Sequence, residues 1–224
     1  MKLKALTKYQ RTKVRANLRD IFNSATDADV VGGRGWYESA HKICLDYAVE
    51  FGTTTERVAQ IMSALSPNNK WERNIKDTRI VLEAVRGGVA PEAVKVCTFH
   101  GNKFKAFAIA RGELSILATS PKTFAFVRNI GALDETKVTI DLWHLRACFG
   151  ATIETGLTLK RYRELERITI EEAKKVGLKG YEFQAIVWEY LMPTMTKFLS
   201  GLLTRRDRRH LSPSSSCGFV SGLH

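Results

Sequence analysis

The sequence predicts an all-α fold, a bundle of about ten helices around a shared core. Three observations carry that prediction. Apolar residues recur at helical spacing along most of the chain, as in Val14, Leu18, Ile21 and Phe22. Capping residues and Gly or Pro breakers bracket these stretches. No stretch alternates for long enough to require a sheet; only Val138-Thr139-Ile140 reads as extended.

Residues 7–23 form a polar, basic, amphipathic helix. Gly32-Gly33-Arg34-Gly35 reads as a loop, and Trp36 to Phe51 as a helix carrying Ile43, Tyr47 and Phe51 at helical spacing. Thr53 and Glu56 can form a capping box that opens a helix through Leu65. Ser66-Pro67-Asn68-Asn69 breaks it, and Trp71 to Val85 follows, closed by Gly87-Gly88. Short helices are expected at 91–96, 102–111 and 113–117. Ser120-Pro121 offers an N-cap and a proline at the first helical position, for a helix that ends at Gly131. Asp141 is the expected cap of a helix ending near Phe149. A charged helix spans 158–176, and a last one 181–199, kinked at Pro193.

Composition bounds the function. The 224 residues suit one large domain, placed at 1–200, before a basic, Ser-rich, disordered tail at 201–224. Hydrophobic residues make up 44%, which excludes wholesale disorder. Lys and Arg number 35 against 23 Asp and Glu, a net charge of +12, so a polyanion such as nucleic acid is the expected partner. No apolar run approaches the ~18 residues of a membrane span, and the first residues hold no signal-type apolar core. The expectation is a monomeric chain in the cytoplasm with no membrane partner. The four cysteines lie far apart without a C-x-x-C pair, so neither a metal nor another cofactor is expected.

The informative stretch is Thr98 to Gly150. It contains Pro121-Lys122-Thr123, then Val138-Thr139-Ile140-Asp141-Leu142-Trp143-His144-Leu145-Arg146 and Phe149-Gly150, with Lys122 and Asp141 separated by 19 positions. Taken alone, Lys122 reads as an exposed lysine at a helix start and Asp141 as an N-cap. Together they resemble the helix-hairpin-helix DNA glycosylase superfamily, the endonuclease III-like and 8-oxoguanine glycosylase-like proteins. There a hairpin of the type L-P-G-V-G-x-K-T/V precedes V-D-T/V-H at the front of a helix. Ser63 to Trp71 is similar to the family's L-S-x-Q-T/A segment, and Phe99 to Ala106 to its Y/F-x-x-K-A segment, so the resemblance spans roughly residues 60–150. The whole chain also resembles small phage proteins with W-Y-x-x-A, A-L-S-P-x-x-x-W-x-x-N and P-K-T-x-x-F-x-x-N-I motifs. Here these are Trp36-Tyr37, Ala64 to Asn74 and Pro121 to Ile130. Two departures stand out. Ala118-Thr119-Ser120-Pro121 replaces the hairpin glycines, and Trp143 occupies the usual histidine position, with His144 one place on.

The resemblance implies a helix-hairpin-helix bundle that binds double-stranded DNA and excises a modified or damaged base. Lys122 would be the amine nucleophile and Asp141 the carboxylate that stabilises positive charge on the sugar. An amine must be neutral to attack, and a helix start with partial burial both disfavour its charge. Asn68, Asn69, Lys70, Trp71, Asn102, Lys103, Ser120, Thr123, His144 and Arg146 would contact DNA. Two other readings keep the same fold: a DNA-binding protein without catalysis, and a transferase acting on modified phage bases.

Overall fold

The computed structural model describes residues 5–150 and 157–192. Among them nine α-helices and one 3₁₀ turn make up the regular structure, with no strand. The helices are α1 (Lys8–Ser24), α2 (Asp27–Phe51), α3 (Thr55–Leu65), α4 (Trp71–Arg86), α5 (His100–Ala110), α6 (Pro121–Ala132), α7 (Leu142–Phe149), α8 (Leu159–Lys175) and α9 (180–192). The expected all-α class is therefore observed. The chain divides into two units between Leu191 and Met192, and the packing below belongs to the first. The Pro193 kink and the 201–224 tail lie outside the described residues.

α3 is the central helix. Every residue from Val58 to Leu65 is buried, so it has no solvent face over that length, and α2, α4, α5 and α6 pack around it. Met62, Leu65, Val81, Phe107, Ile109 and Ile130 fill the space between them. α1 packs separately on α7 and α8. α9 reaches both groups: Phe183 stacks on Phe22 of α1, and Tyr181 meets Tyr37 of α2 edge to face.

Several boundaries differ from expectation, each for a tertiary reason. Gly32 to Gly35 is no loop; it lies inside α2. A Cβ on Gly33 would sit 2.5 Å from the backbone nitrogen of Ile186, so the glycine permits close approach of α2 to α9 rather than a turn. Gly33→Ala is expected to destabilise the fold by roughly 1–3 kcal/mol, read as a lowered melting temperature. An unchanged value would mean that α2 and α9 separate freely. Gly131 likewise stays helical, with a built Cβ only 3.0 Å from that of Ala59 on α3, and Leu133 makes the left-handed turn instead.

The cap of α3 is Thr54, whose side chain accepts from the Arg57 N–H, and not Thr53. The Thr53 N–H is already used to close α2 through the Ala48 carbonyl. Residues 113–117 form no helix. Glu113 N–H bonds back to the Ala108 carbonyl, and Ile116 N–H donates to Gln60 Oε1 at 2.8 Å. The 91–96 helix shortens to a 3₁₀ turn at Pro91–Ala93.

An ion network joins α1 to α8. Arg11 pairs with Glu164, Arg15 with Glu171 and Glu172, and Arg19 with Glu172, whose side chain is 1% exposed. Burial alone would raise the Glu172 carboxyl, but hydrogen bonds from Arg19, Lys175 and Arg15 hold it down at about 2. A carboxyl depressed by folding stabilises above its unfolded value, near 4.5, and loses that contribution as pH falls through the folded value. The loss is expected to be roughly 2 kcal/mol, allowing for the solvent exposure of Arg19 and Lys175. Denaturant melts should show the gap between wild type and Glu172→Gln shrinking from pH 5 to pH 2.5. A gap that stays constant would remove Glu172 from the acid response.

Candidate functional site

Asp141 caps α7: its Oδ1 accepts the His144 backbone N–H at 2.8 Å, as the sequence predicts. The extended segment that delivers it, Val138 to Ile140, is held by α8. Tyr162 accepts from the Ile140 N–H through its hydroxyl oxygen at 3.1 Å and donates that hydroxyl to the Val138 carbonyl at 2.8 Å. Glu166 accepts the Val138 N–H at 3.1 Å, and Thr139 donates to Asn129 Oδ1 at 3.0 Å. Both backbone N–H groups that face α8, the Val138 carbonyl and the Thr139 hydroxyl are thus tied down just ahead of Asp141.

Burial pushes the Asp141 carboxyl above the usual carboxylate range, opposed by the His144 N–H and by the positive charge of Lys122. Lys122 is the second residue of α6 and is exposed; the partial burial expected of it is not found. It lies within electrostatic reach of Asp141 but makes no ion pair among the described residues. Tyr37 completes this corner. It is 3% exposed and donates its hydroxyl to Gln184 Oε1 at 2.8 Å. Burial raises its phenol above the ordinary value, partly relieved by Thr139 and reinforced by the Asp141 charge.

Beside this corner lies a cluster of half-buried rings from four helices. Trp36 on α2 is its hub, with centroids 4.9 Å from Trp71, 6.3 Å from Phe126 and 6.2 Å from Trp188. Phe126 stands one helical turn from Lys122 on α6, so the rings and the amine share a face. Ser63 fastens α6 to α3 by donating to the Thr123 carbonyl at 3.1 Å.

The other predicted DNA contacts divide. Asn68 is exposed with a left-handed φ of 57°, and Lys70 is exposed at the head of α4. Ser120 is exposed and makes no side-chain cap bond. Arg146 lies over the Trp143 ring at 4.6 Å. Asn69 points inward: it donates to Asp77 Oδ2 at 3.0 Å. Asp77, with a fully buried side chain, also accepts from Arg73 Nε and the Cys97 N–H, each at 2.8 Å, and so ties the 66–70 loop to the segment that precedes α5. Lys103 Nζ is committed to the Val94 carbonyl, and Asn102 to Thr98.

His144 is corrected. It is 1% exposed and faces α8, where its Nε2 lies 2.8 Å from the Thr169 hydroxyl. That hydroxyl donates to the Leu165 carbonyl, so the imidazole must donate through Nε2. Burial lowers it to about 4. A side chain in this position packs the core and does not touch DNA.

Sequence reasoning missed Trp36, Phe126, Trp188, Tyr37 and Gln184 as site residues. Trp36-Tyr37 was visible as a motif, but its partners come from α4, α6 and α9 and are set only by tertiary packing. The spread of charge also differs from the simple net value. The arginines of α1 are occupied by α8, and Arg79 by Glu50 and Glu83. Lys70, Lys76 and Lys122 are exposed.

No group of three or more His, Cys, Asp or Glu able to hold a metal occurs among the described residues. No helix among them is long and apolar enough to cross a membrane. The chain belongs to a family of unknown function, DUF7178, whose model matches residues 1–193. No curated protein and no solved structure matches it.

Proposed function

We propose that the protein is a DNA glycosylase of helix-hairpin-helix type, acting on a modified or damaged base in double-stranded DNA. The observation that carries this reading is the pair Lys122 and Asp141. They come from separate helices, lie within electrostatic reach, and adjoin a ring cluster. Asp141 is held at a position where its charge is disfavoured by burial, a pattern that marks functional carboxylates. In the proposed step the Lys122 amine attacks the anomeric carbon of the sugar. The glycosidic bond breaks and the base leaves with its electron pair. Loss of the amine proton and opening of the sugar ring give an imine. Asp141 stabilises the positive charge that builds on the sugar.

Borohydride reduces such an imine to a stable amine cross-link, so trapping is the test. Against oligonucleotides carrying uracil, hydroxymethyluracil, oxidised purines or an abasic site, wild type should cross-link to at least one. Lys122→Gln should abolish the cross-link and leave DNA affinity within about twofold, because one phosphate-range cation contributes little to the total. A variant that cross-links at the wild-type rate would assign the nucleophile elsewhere.

A second reading is a DNA-binding protein without catalysis. It is favoured by residues 113–117, which are not helical where a hairpin motif would need its first helix. DNA binding with no trapping and no excision across the same panel would select it.

A further inference from the structure

We infer that a pocket at the N-terminal end of α3 binds a free α-amino acid, with its carboxylate on Arg57 and Gln60 and its ammonium on Glu56. The pocket measures about 230 Å³ and lies between the start of α3 and the turn at 112–115 that follows α5. Drug-sized ligands fill sites of about 300–1,000 Å³, so this one suits a smaller molecule. Gln60 stands four places after Glu56 and three after Arg57, so the three side chains share one face of α3.

Gln60 is the buried member, 9% exposed. Its Oε1 accepts the Ile116 N–H at 2.8 Å, which fixes the amide orientation and leaves Nε2 as the donor on the pocket side. Nε2 has no hydrogen-bond partner among the described residues. A donor held this deep has lost most of its water, and a ligand oxygen restores the missing bond. Arg57 supplies positive charge. Its guanidinium lies over Gly112, where a Cβ would sit 3.3 Å from Nη2, so the missing side chain leaves it room. It makes no ion pair among the described residues and presents a planar fork suited to a carboxylate.

Glu56 decides what kind of anion enters. It is exposed and likewise makes no ion pair among the described residues. Beside Arg57 it repels a purely negative ligand such as phosphate and attracts an ammonium. The guanidinium disfavours a metal ion, and an apolar molecule would leave the Arg57 and Gln60 donors unpaired. Ile109 and Leu114 add an apolar wall, so an aliphatic side chain completes the ligand. The pocket and the 66–70 loop lie at opposite ends of α3, so this site does not depend on the glycosylase reading.

The test follows the Gln60 side-chain amide and the Gly112 N–H in nitrogen–proton correlation spectra of the full chain. The probes are L-leucine, 4-methylpentanoate, 3-methylbutylamine and inorganic phosphate. L-Leucine should shift both resonances saturably, with a Kd of about 1 mM or lower. The acid without the amine, the amine without the acid, and phosphate should each bind about tenfold or more weakly. Arg57→Gln should weaken leucine by about tenfold or more. Glu56→Gln should weaken leucine but strengthen 4-methylpentanoate, because the repulsion leaves with the charge. Gln60→Glu keeps an acceptor for the Ile116 N–H and removes the donor, so it should abolish binding. If it fails to fold by circular dichroism, the two variants at exposed positions decide. No saturable shift up to ~20 mM leucine overturns the site. Equal affinity for leucine and 4-methylpentanoate, or unchanged leucine affinity in Arg57→Gln and Glu56→Gln, overturns the amino-acid assignment. Lys122→Gln should bind leucine as wild type does, so failure of base excision and failure of this site are separate results.

Discussion

Replacing Asp141 by Asn is expected to lower single-turnover base excision ~100-fold or more while leaving the melting temperature unchanged or slightly raised. The amide keeps the volume and the carbonyl oxygen that accepts the His144 N–H, so α7 retains its cap. What disappears is the negative charge. Burial already disfavours that charge in the folded protein, so its removal relieves a desolvation cost and offsets the lost attraction to Lys122. A purely structural N-cap would give small changes in both quantities. Excision and melting measured on one preparation therefore separate the roles, and full activity in the variant would leave the proposed mechanism without its carboxylate. The sign of the pH response follows from the same shift. With its carboxyl raised above the ordinary range, Asp141 gains its proton earlier on acidification than a free aspartate, and turnover should fall correspondingly early.

The largest stability effect is expected at Asp77. Its buried carboxylate receives the Asn69 amide, the Arg73 guanidinium and the Cys97 main-chain N–H. Asp77→Ala leaves those three donors without their acceptor, and breaking a buried charged network of this kind costs about 3–5 kcal/mol. For a fold of this size the melting temperature should drop by roughly 6–15 °C. Arg73→Ala, at a half-exposed position, should cost under ~1 kcal/mol. If Asp77→Ala melts within ~2 °C of wild type, the carboxylate does not hold the two loops together.

Legibility in the sequence tracked the range of the interaction. Asp141 could be read as a cap because its bond to the His144 N–H closes within one turn. The breaks at Ser66-Pro67 and Gly87-Gly88 were visible for the same local reason. Gly33 and Gly131 were misread because their meaning lies across a helix crossing, in the nearness of Ile186 and Ala59. Residues 113–117 have helical composition, but Gln60 from α3 takes one of their amides. In the candidate site, Lys122 and Asp141 stood out only through the resemblance of their motifs to a glycosylase family. The ring cluster was not, since Trp36 and Trp188 meet only when the two ends of the domain pack. His144 was misplaced because standing one place after the histidine position of the resembled motif says nothing about which side of α7 it faces.

The Val138–Ile140 segment has one more consequence. It is extended backbone in a helical protein, and such a run ordinarily offers an open edge to which another chain can add by β-pairing. Here Tyr162 uses one hydroxyl in both directions, and Glu166 supplies a further acceptor, so two α8 side chains stand in for a neighbouring strand. With the Val138 and Ile140 amides and the Val138 carbonyl engaged and both apolar side chains buried, that side of the segment is occupied by α8. The tyrosine thereby fills, on that side, the hydrogen-bonding positions that another chain would need.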